Sequence, residues 1–125
     1  ASVNHLHFQL FERSEGEYPI ESPGWRHNGG ERAYPADVVR LTDREEAWAA
    51  IDACQGDNRG FNLVYRPGCL YRVERRLQGH YPHSDWTGGF AWSEIAGAVT
   101  VFAAQDFDRL AVADIDGEFA RLAPA

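Results

Sequence analysis

Two histidines and a glutamate near the start of the chain have the residue types of a metal site. His5 and His7 alternate along VNHLHFQLFE, so on a β-strand their side chains would point to the same face. Together with the carboxylate of Glu12 they would form a set of two imidazoles and one carboxylate, which binds divalent metals. On strict alternation Glu12 points to the opposite face, so the set closes only if a bulge shifts the strand.

The spacing HxHxxxxE of these three residues resembles the first metal motif of the cupin family, which lies on a strand of a β-barrel. The resemblance implies a metal-dependent enzyme in which His5, His7 and Glu12 hold iron, manganese or zinc. Cupins carry a further histidine after a Pro-x-Gly-type segment, and no histidine follows Pro67-Gly68 at a matching distance. The enzyme interpretation therefore depends on one short motif.

A second group of titratable side chains is found in the segment HYPHSD. His80, His83 and Asp85 could bind a metal or act as an acid–base pair, because histidine titrates near neutral pH. Pro82 excludes a regular helix across the segment, so the two imidazole rings would meet only in a tightly turned loop. Hydrogen-bonded surface histidines are the competing interpretation.

Aromatic and arginine side chains suggest a different kind of site, a protein-binding surface. Aromatic rings and arginine are enriched in protein interfaces. Burial of the loop aromatics over the core is the competing interpretation. The candidate binding residues are Trp25, Tyr34, Arg72, Arg76, Tyr81 and Trp86.

The chain is acidic, with 19 Asp and Glu against 12 basic residues and a net charge of −7. This charge opposes binding to nucleic acid and to anionic membranes, so we expect a protein partner, with a basic one as the natural complement. The charges are uneven. Residues 59–76 carry five Arg and one Glu, whereas residues 106–118 carry five acidic residues and one Arg, which allows a bipolar surface.

The elements that would position these residues centre on residues 61–76. Two β-prone runs flank Pro67 and Gly68, where proline fixes a negative φ and glycine accepts a positive one, as a type II turn requires. A two-residue hairpin prefers turns of the opposite hand, so a wider loop or a corner between sheets is the alternative. With Pro67 and Gly68 at the tip, the expected pairs are Tyr65 with Leu70, Val64 with Tyr71, Leu63 with Arg72 and Asn62 with Val73.

Two helices are expected beside this hairpin. Residues 43–55 carry apolar side chains at helical spacing, and Thr42 begins a capping box with Glu45. Residues 106–122 also fit a helical pattern, and a strand over residues 110–115 is the alternative.

The sequence therefore predicts one α+β domain over residues 1–125. We expect a mainly antiparallel sheet of four or five strands, with the helix at 43–55 resting Trp48 and Ile51 on one side and the helix at 106–122 on another. Beyond the hairpin, the strand candidates are residues 3–12, 18–21, 38–41 and 97–103.

Cys54 and Cys69 are expected to be free thiols. Cys54 ends the first helix and Cys69 lies at the hairpin tip, roughly 17 Å further along a strand, whereas a disulfide needs Cα atoms within about 7 Å. Free thiols slightly favour the cytoplasm. No apolar run approaches the roughly 18 residues of a membrane span, so we expect a soluble protein.

We favour a binding module over an enzyme, because its features are spread over the whole chain. By size and charge the chain is comparable to inhibitors and immunity proteins that occlude a basic partner. This interpretation requires no cofactor, whereas the cupin-like alternative requires one divalent metal.

Overall fold

A three-stranded antiparallel sheet organises the protein, whose computed structural model describes residues 8–10, 12, 16–77 and 79–125. The strands are β1 (Val38–Leu41), β2 (Phe61–Arg66) and β3 (Cys69–Glu74), and β3 lies between the other two. Helix α1 (Arg44–Gly56) connects β1 to β2. Because both outer strands run antiparallel to β3, they are parallel to each other across it.

Short helices make up most of the remaining regular structure. Helices α2 (Trp92–Ile95), α3 (Ala104–Arg109) and α4 (Val112–Leu122) follow the sheet, and two turns of 3₁₀ helix, Pro19–Glu21 and Arg26–Asn28, precede it. None of the helices found in the described residues has the length and apolar character needed to cross a membrane.

The expectation of four or five strands is wrong, because the described residues form a sheet of three. Two of the segments expected to add strands, residues 18–21 and 97–103, are not in the sheet. Instead, the N–H of Ile20 donates to the carbonyl of Ala96 at 3.0 Å, and both side chains are buried in the core. The apolar pattern predicted the burial of Ile20, but none of residues 97–103 is buried and Phe102 is 82% exposed.

The predicted strand over residues 3–12 falls mostly outside the described residues. Residues 8–10 and 12 are described and contain no strand. The apolar side chains of Phe8 and Leu10 in this segment are exposed.

The hairpin over residues 61–76 is confirmed in its predicted register. Pro67 and Gly68 form the tip, and Gly68 has the expected positive φ, at 86°. The observed pairs include Tyr65 with Leu70, Val64 with Tyr71, Leu63 with Arg72 and Asn62 with Val73. Pairing of β3 with β1 on its other edge supports this hairpin despite the unfavourable hand of its turn.

Helix α1 confirms the helix predicted over residues 43–55, with a different N-cap. Asp43, rather than Thr42, caps the helix, and its Oδ1 accepts hydrogen bonds from the N–H groups of Glu45 and Glu46, both at 3.0 Å. A carboxylate at this position is favoured because it also interacts with the positive end of the helix dipole.

The single helix predicted over residues 106–122 is divided into α3 and α4. The chain is extended at Leu110, with ψ of 123°. Asp114 then caps the second helix, since its Oδ2 accepts from the N–H of Ala111 at 2.9 Å. The alternative of a strand over residues 110–115 is also wrong.

Among the residues that the structure describes, the hydrophobic core lies on one face of the sheet. Val64, Tyr71 and Val73 point to this core side and pack against residues from the helices and the loops. The other buried members of the cluster are Ile20, Tyr81, Phe90, Ile95, Ala96, Phe119 and Leu122.

Both cysteines are free, as predicted. Cys69 packs against the core cluster from the same face of β3 as Tyr71 and Val73. Cys54 contacts the opposite face of that strand, through Arg72. The sheet therefore lies between the two thiols.

Aromatic contacts fasten the long segment before β1 to the core. The ring of Tyr34 meets those of Trp25 and Phe119 edge to face, at centroid distances of 5.1 and 5.8 Å. Its hydroxyl donates to the carbonyl of Ile95 at 2.7 Å, and His27 packs against the same ring at 5.5 Å. Tyr34 thus connects this segment to both α2 and α4.

Replacement of Tyr34 by Phe should lower the free energy of unfolding by about 1 kcal/mol, because the Ile95 carbonyl loses its hydrogen-bond donor. Urea unfolding measures this difference. Tyr65→Phe is the matched control, since it removes the hydroxyl of an exposed tyrosine and should change stability by less than about 0.5 kcal/mol. Equal unfolding midpoints for the two variants would contradict the structural role of Tyr34.

Stability should also fall at alkaline pH. Burial raises the pKa of Tyr34 above its ordinary value of 10.0, so the folded protein keeps a proton that the unfolded chain releases. The protonated hydroxyl of Tyr34 makes its full contribution to the free energy of unfolding below pH 10.0. This contribution is lost as the pH rises above that value, by at most about 1.4 kcal/mol per pH unit. Over this pH range the free energy of unfolding should fall less steeply in Tyr34→Phe than in the wild type. In Tyr65→Phe it should fall as steeply as in the wild type.

Candidate functional site

Helix α1 packs on the face of the sheet opposite the core. Because Tyr71 and Val73 point to the core, Arg72 and Glu74 point to the other face. Cys54 of α1 meets them there, with its Sγ 3.6 Å from Arg72 Nη1 and 3.9 Å from Glu74 Oε1. This face of the sheet, together with α1, is named the helix side below.

A charged anchor holds the end of α1 to the sheet. Oε1 of Glu74 accepts from Arg59 Nη1 at 2.6 Å and from Arg72 Nη2 at 2.9 Å. Arg59 also contacts Asp57 at 3.2 Å. The hydrogen bond that Arg59 donates to Glu74 is the main reason that the pKa of Arg59 is raised. This Glu74 anchor joins β3, the turn after α1 and, through Cys54, the helix itself.

Away from the anchor, α1 covers the sheet poorly. Ala47, Ala50, Ile51 and Cys54 form the inward stripe of the helix, and Cys54 is its one fully buried member. The expectation that Trp48 rests on the sheet is wrong, because its side chain is 64% exposed. Trp48 lies one residue, or about 100° of helix rotation, from Ala47 in this stripe.

A row of apolar side chains is consequently left open on the helix side. Tyr65 is 75% exposed, although it belongs to the same face as the anchor. Its neighbours on the three strands are partly buried, and none belongs to the core cluster. We name the exposed and partly buried set the apolar surface, which comprises Trp48 and Tyr65 together with Val39, Leu41, Phe61, Leu63 and Leu70.

The exposed face of α1 borders this apolar surface with negative charge. Glu45, Glu46 and Asp52 are exposed, and none of them makes an ion pair with another described residue. The side chain of Asp43 caps the helix at the same end. The border is therefore acidic and available to a partner.

The arginines of residues 59–76 do not form the basic half of a bipolar surface. Arg66 Nε pairs with Glu21 at 2.8 Å, and Arg75 is only 3% exposed. Two more of the five arginines belong to the Glu74 anchor. Because most of this positive charge is paired or buried, the outer surface is more acidic than the charge runs in the sequence indicate.

The side chains predicted to bind a partner lie in different parts of the molecule. They are Trp25, Tyr34, Arg72, Arg76, Tyr81 and Trp86. Tyr81 is buried in the core, whereas Arg72 belongs to the anchor on the opposite side of the sheet. Trp86 packs edge to face against Phe90 at 5.9 Å, and Arg76 is exposed. Trp25 and Tyr34 hold the segment before β1 against the core, as described above.

The second predicted metal cluster does not converge. His80, His83 and Asp85 are exposed, and Nδ1 of His83 contacts the carbonyl of Ser84 at 3.1 Å. Throughout the part of the chain that the structure describes, no group of three His, Cys, Asp or Glu side chains is placed to hold a metal.

The cupin-like set lies largely outside the described residues. Glu12 is described and exposed, while His5 and His7 are not described. Their metal site therefore stays a prediction.

Sequence analysis did not identify the two most exposed members of the apolar surface, Trp48 and Tyr65. The sequence of the helix did indicate that the sheet would be incompletely covered, because two of its inward positions are alanines. Such a narrow apolar stripe cannot cover three strands. The long-range pairing that formed the sheet had to be known before this mismatch could be recognised.

Known proteins offer no further guidance to the function of these surfaces. Comparisons with protein-family models, curated proteins and solved structures found no match. A functional assignment must therefore come from the residues themselves.

Replacing Glu74 by Gln should destabilise the protein by about 3 kcal/mol, because the poorly exposed guanidinium of Arg72 loses its carboxylate, while Arg59 keeps its contact with Asp57. Urea unfolding measures the loss. The matched control is Asp57→Asn, which weakens a more exposed ion pair of the same cluster and should cost about 0.5 kcal/mol or less. Similar losses in both variants would show that the Glu74 anchor has no special role.

Proposed function

We propose that this protein is an acidic binding module that recognises a basic protein through the apolar surface on its helix side. The observation that carries the proposal is the exposure of Trp48 on a helix that leaves the neighbouring sheet face partly open. Tryptophan and tyrosine are frequent hot spots of protein interfaces, since they bury a large area with few rotatable bonds.

The charge around this surface favours a basic partner. Glu45, Glu46 and Asp52 border it without internal ion pairs among the described residues. Complementary charge speeds association and excludes partners of like charge. With a net charge of −7, the same surface would repel nucleic acid and anionic membranes.

Inhibition is the mode of action that this arrangement suits. A small module that covers a basic functional surface of its partner would block access to that surface, as inhibitors and immunity proteins do. This comparison rests on size and charge and belongs to the proposal. It requires neither a cofactor nor a catalytic residue.

The combined substitution of Trp48→Ser and Tyr65→Ser should weaken partner binding without unfolding the protein, because both side chains are exposed. The immobilised protein would be exposed to an extract of its native cells, and each retained basic protein would then be purified and titrated by calorimetry. We expect the double variant to weaken binding by more than about tenfold, as the loss of a hot spot does.

The matched control is Phe107→Ser with Val112→Ser, which removes two exposed apolar side chains from α3 and α4. It should bind like the wild type. A second pair of variants tests charge: Glu45→Gln with Glu46→Gln should slow association and reduce its salt dependence, whereas Asp108→Asn with Asp116→Asn should do so less. A purified partner that binds equally to both apolar variants, or one that is acidic, would overturn the proposal.

A further inference from the structure

Among the described residues, no strand lies along the outer edge of β2. The carbonyl of Gly60 accepts from the N–H of Arg75 at 2.9 Å, so the even-numbered residues of β2 face β3. By alternation, the backbone N–H and C=O groups of Phe61, Leu63 and Tyr65 face away from the sheet. These groups make no backbone hydrogen bond within the described part of the chain. Unpaired groups in such a row are a template for a further strand.

Strand β2 lacks the features that usually protect a sheet edge, which are charged side chains, proline and bulges. Its pairing with β3 runs from Phe61 to Arg66 without a bulge, and the strand contains no proline. Its one charged side chain, Arg66, is held by Glu21 at 2.8 Å. The other edge strand, β1, is shorter, carries Arg40 and contacts the 3₁₀ turn at Arg26–Asn28. A further strand is therefore favoured at β2.

The side chains along this edge match a second copy of the same strand. In an antiparallel pair with a two-fold axis at Leu63, each Leu63 lies opposite its equivalent, and Phe61 lies opposite Tyr65 of the second copy. Aromatic residues opposite each other on neighbouring strands are among the pairs that stabilise sheets. The symmetry forms this aromatic pair twice, so the edge of β2 is complementary to itself.

We propose that two copies of this chain pair through β2 and that their helix sides form one groove. The three strands of each copy then make one continuous sheet. A two-fold axis perpendicular to the sheet places both helix sides on the same face. Helix α1 contacts β1, and the Glu74 anchor holds its end to β3, so each helix lies away from the junction. Phe61, Leu63 and Tyr65 of both copies form the floor between the helices.

The role of this groove in binding rests on the proposed function. In a single chain Tyr65 is 75% exposed, with α1 on one side only. In the dimer it belongs to the floor of a groove that has a helix on each side. The exposed faces of both helices carry Glu45, Glu46 and Asp52. Acidic borders on two sides favour a basic segment of the partner that lies along the groove.

Sedimentation equilibrium of the full chain tests the dimer without any partner. Each copy has a net charge of −7, so the copies repel each other and salt screens the repulsion. We expect a monomer–dimer equilibrium that tightens severalfold when NaCl is raised from about 50 to about 500 mM. Binding to a basic protein should weaken over the same range. A chain that stays monomeric in high salt up to its solubility limit would overturn the proposal.

A cysteine at the two-fold axis tests the register. The two Cα atoms of position 63 should be about 5.5 Å apart, which is within the range of a disulfide. Leu63→Cys should therefore give a covalent dimer on air oxidation with a copper catalyst. The matched control is Tyr65→Cys, whose equivalent positions should be roughly 14 Å apart although Tyr65 is the more exposed residue. Cross-linking above the wild-type background that is equal in both variants, or absent from both, would contradict the pairing.

Proline at the edge tests the backbone hydrogen bonds. Leu63→Pro removes an outward N–H and no bond to β3, and it should weaken the dimer at least about tenfold. Val38→Pro is the matched control, because it places proline at an outward position of β1 and should leave the dimer unchanged. Circular dichroism checks that both variants fold, and the cysteine variants test the pairing without proline. Equal dimer formation by both proline variants would be evidence against the β2 contact.

Trp48→Ser separates this inference from the proposed function. Trp48 lies on α1, away from the edge of β2, so this variant should dimerise like the wild type and bind a basic partner more weakly. A dimer that retains no basic protein would contradict the proposed function alone. A monomeric chain that binds its basic partner would contradict the dimer alone.

Discussion

The carboxylate of Glu74 is the interaction on which the position of helix α1 on the sheet depends. It accepts hydrogen bonds from Arg59 and Arg72 with the same oxygen, and the thiol of Cys54 lies beside it. This contact fixes the C-terminal end of α1 on the sheet. A buried ion pair of this kind contributes little net stability, but removal of one partner is costly. Its main effect here is to define where the helix ends relative to the sheet.

The two faces of the sheet are covered by different means. On the core side, large aromatic and aliphatic side chains from the loops, α2 and α4 bury Val64, Tyr71 and Val73. On the helix side, a narrow stripe with two alanines packs against three strands and leaves Trp48 and Tyr65 in water. A sheet face that is partly covered by its own chain retains apolar area for a partner, and this asymmetry is the structural basis of the proposed binding surface.

Local features of the sequence predicted local structure well. The hairpin register followed from Pro67 and Gly68, because a turn of known length fixes every pair of the strands beside it. The helix over residues 43–55 followed from its apolar spacing. The number of strands and the division at Leu110 could not be obtained in this way. Apolar segments gain the same burial from loops and turns as from strands, so burial alone does not decide pairing.

The acidic character of the helix side was obscured in the sequence for an electrostatic reason. Five arginines within residues 59–76 indicated an exposed basic hairpin, but their surroundings are set by groups that are distant in the sequence. Glu21 pairs with Arg66 across more than forty residues, and the carbonyl of Phe90 accepts from the buried Arg75. Once these arginines are paired or buried, the acids of α1 dominate the helix side. The hairpin therefore contributes apolar side chains to the proposed binding surface, while most of its positive charge is paired or buried and the border of that surface stays acidic.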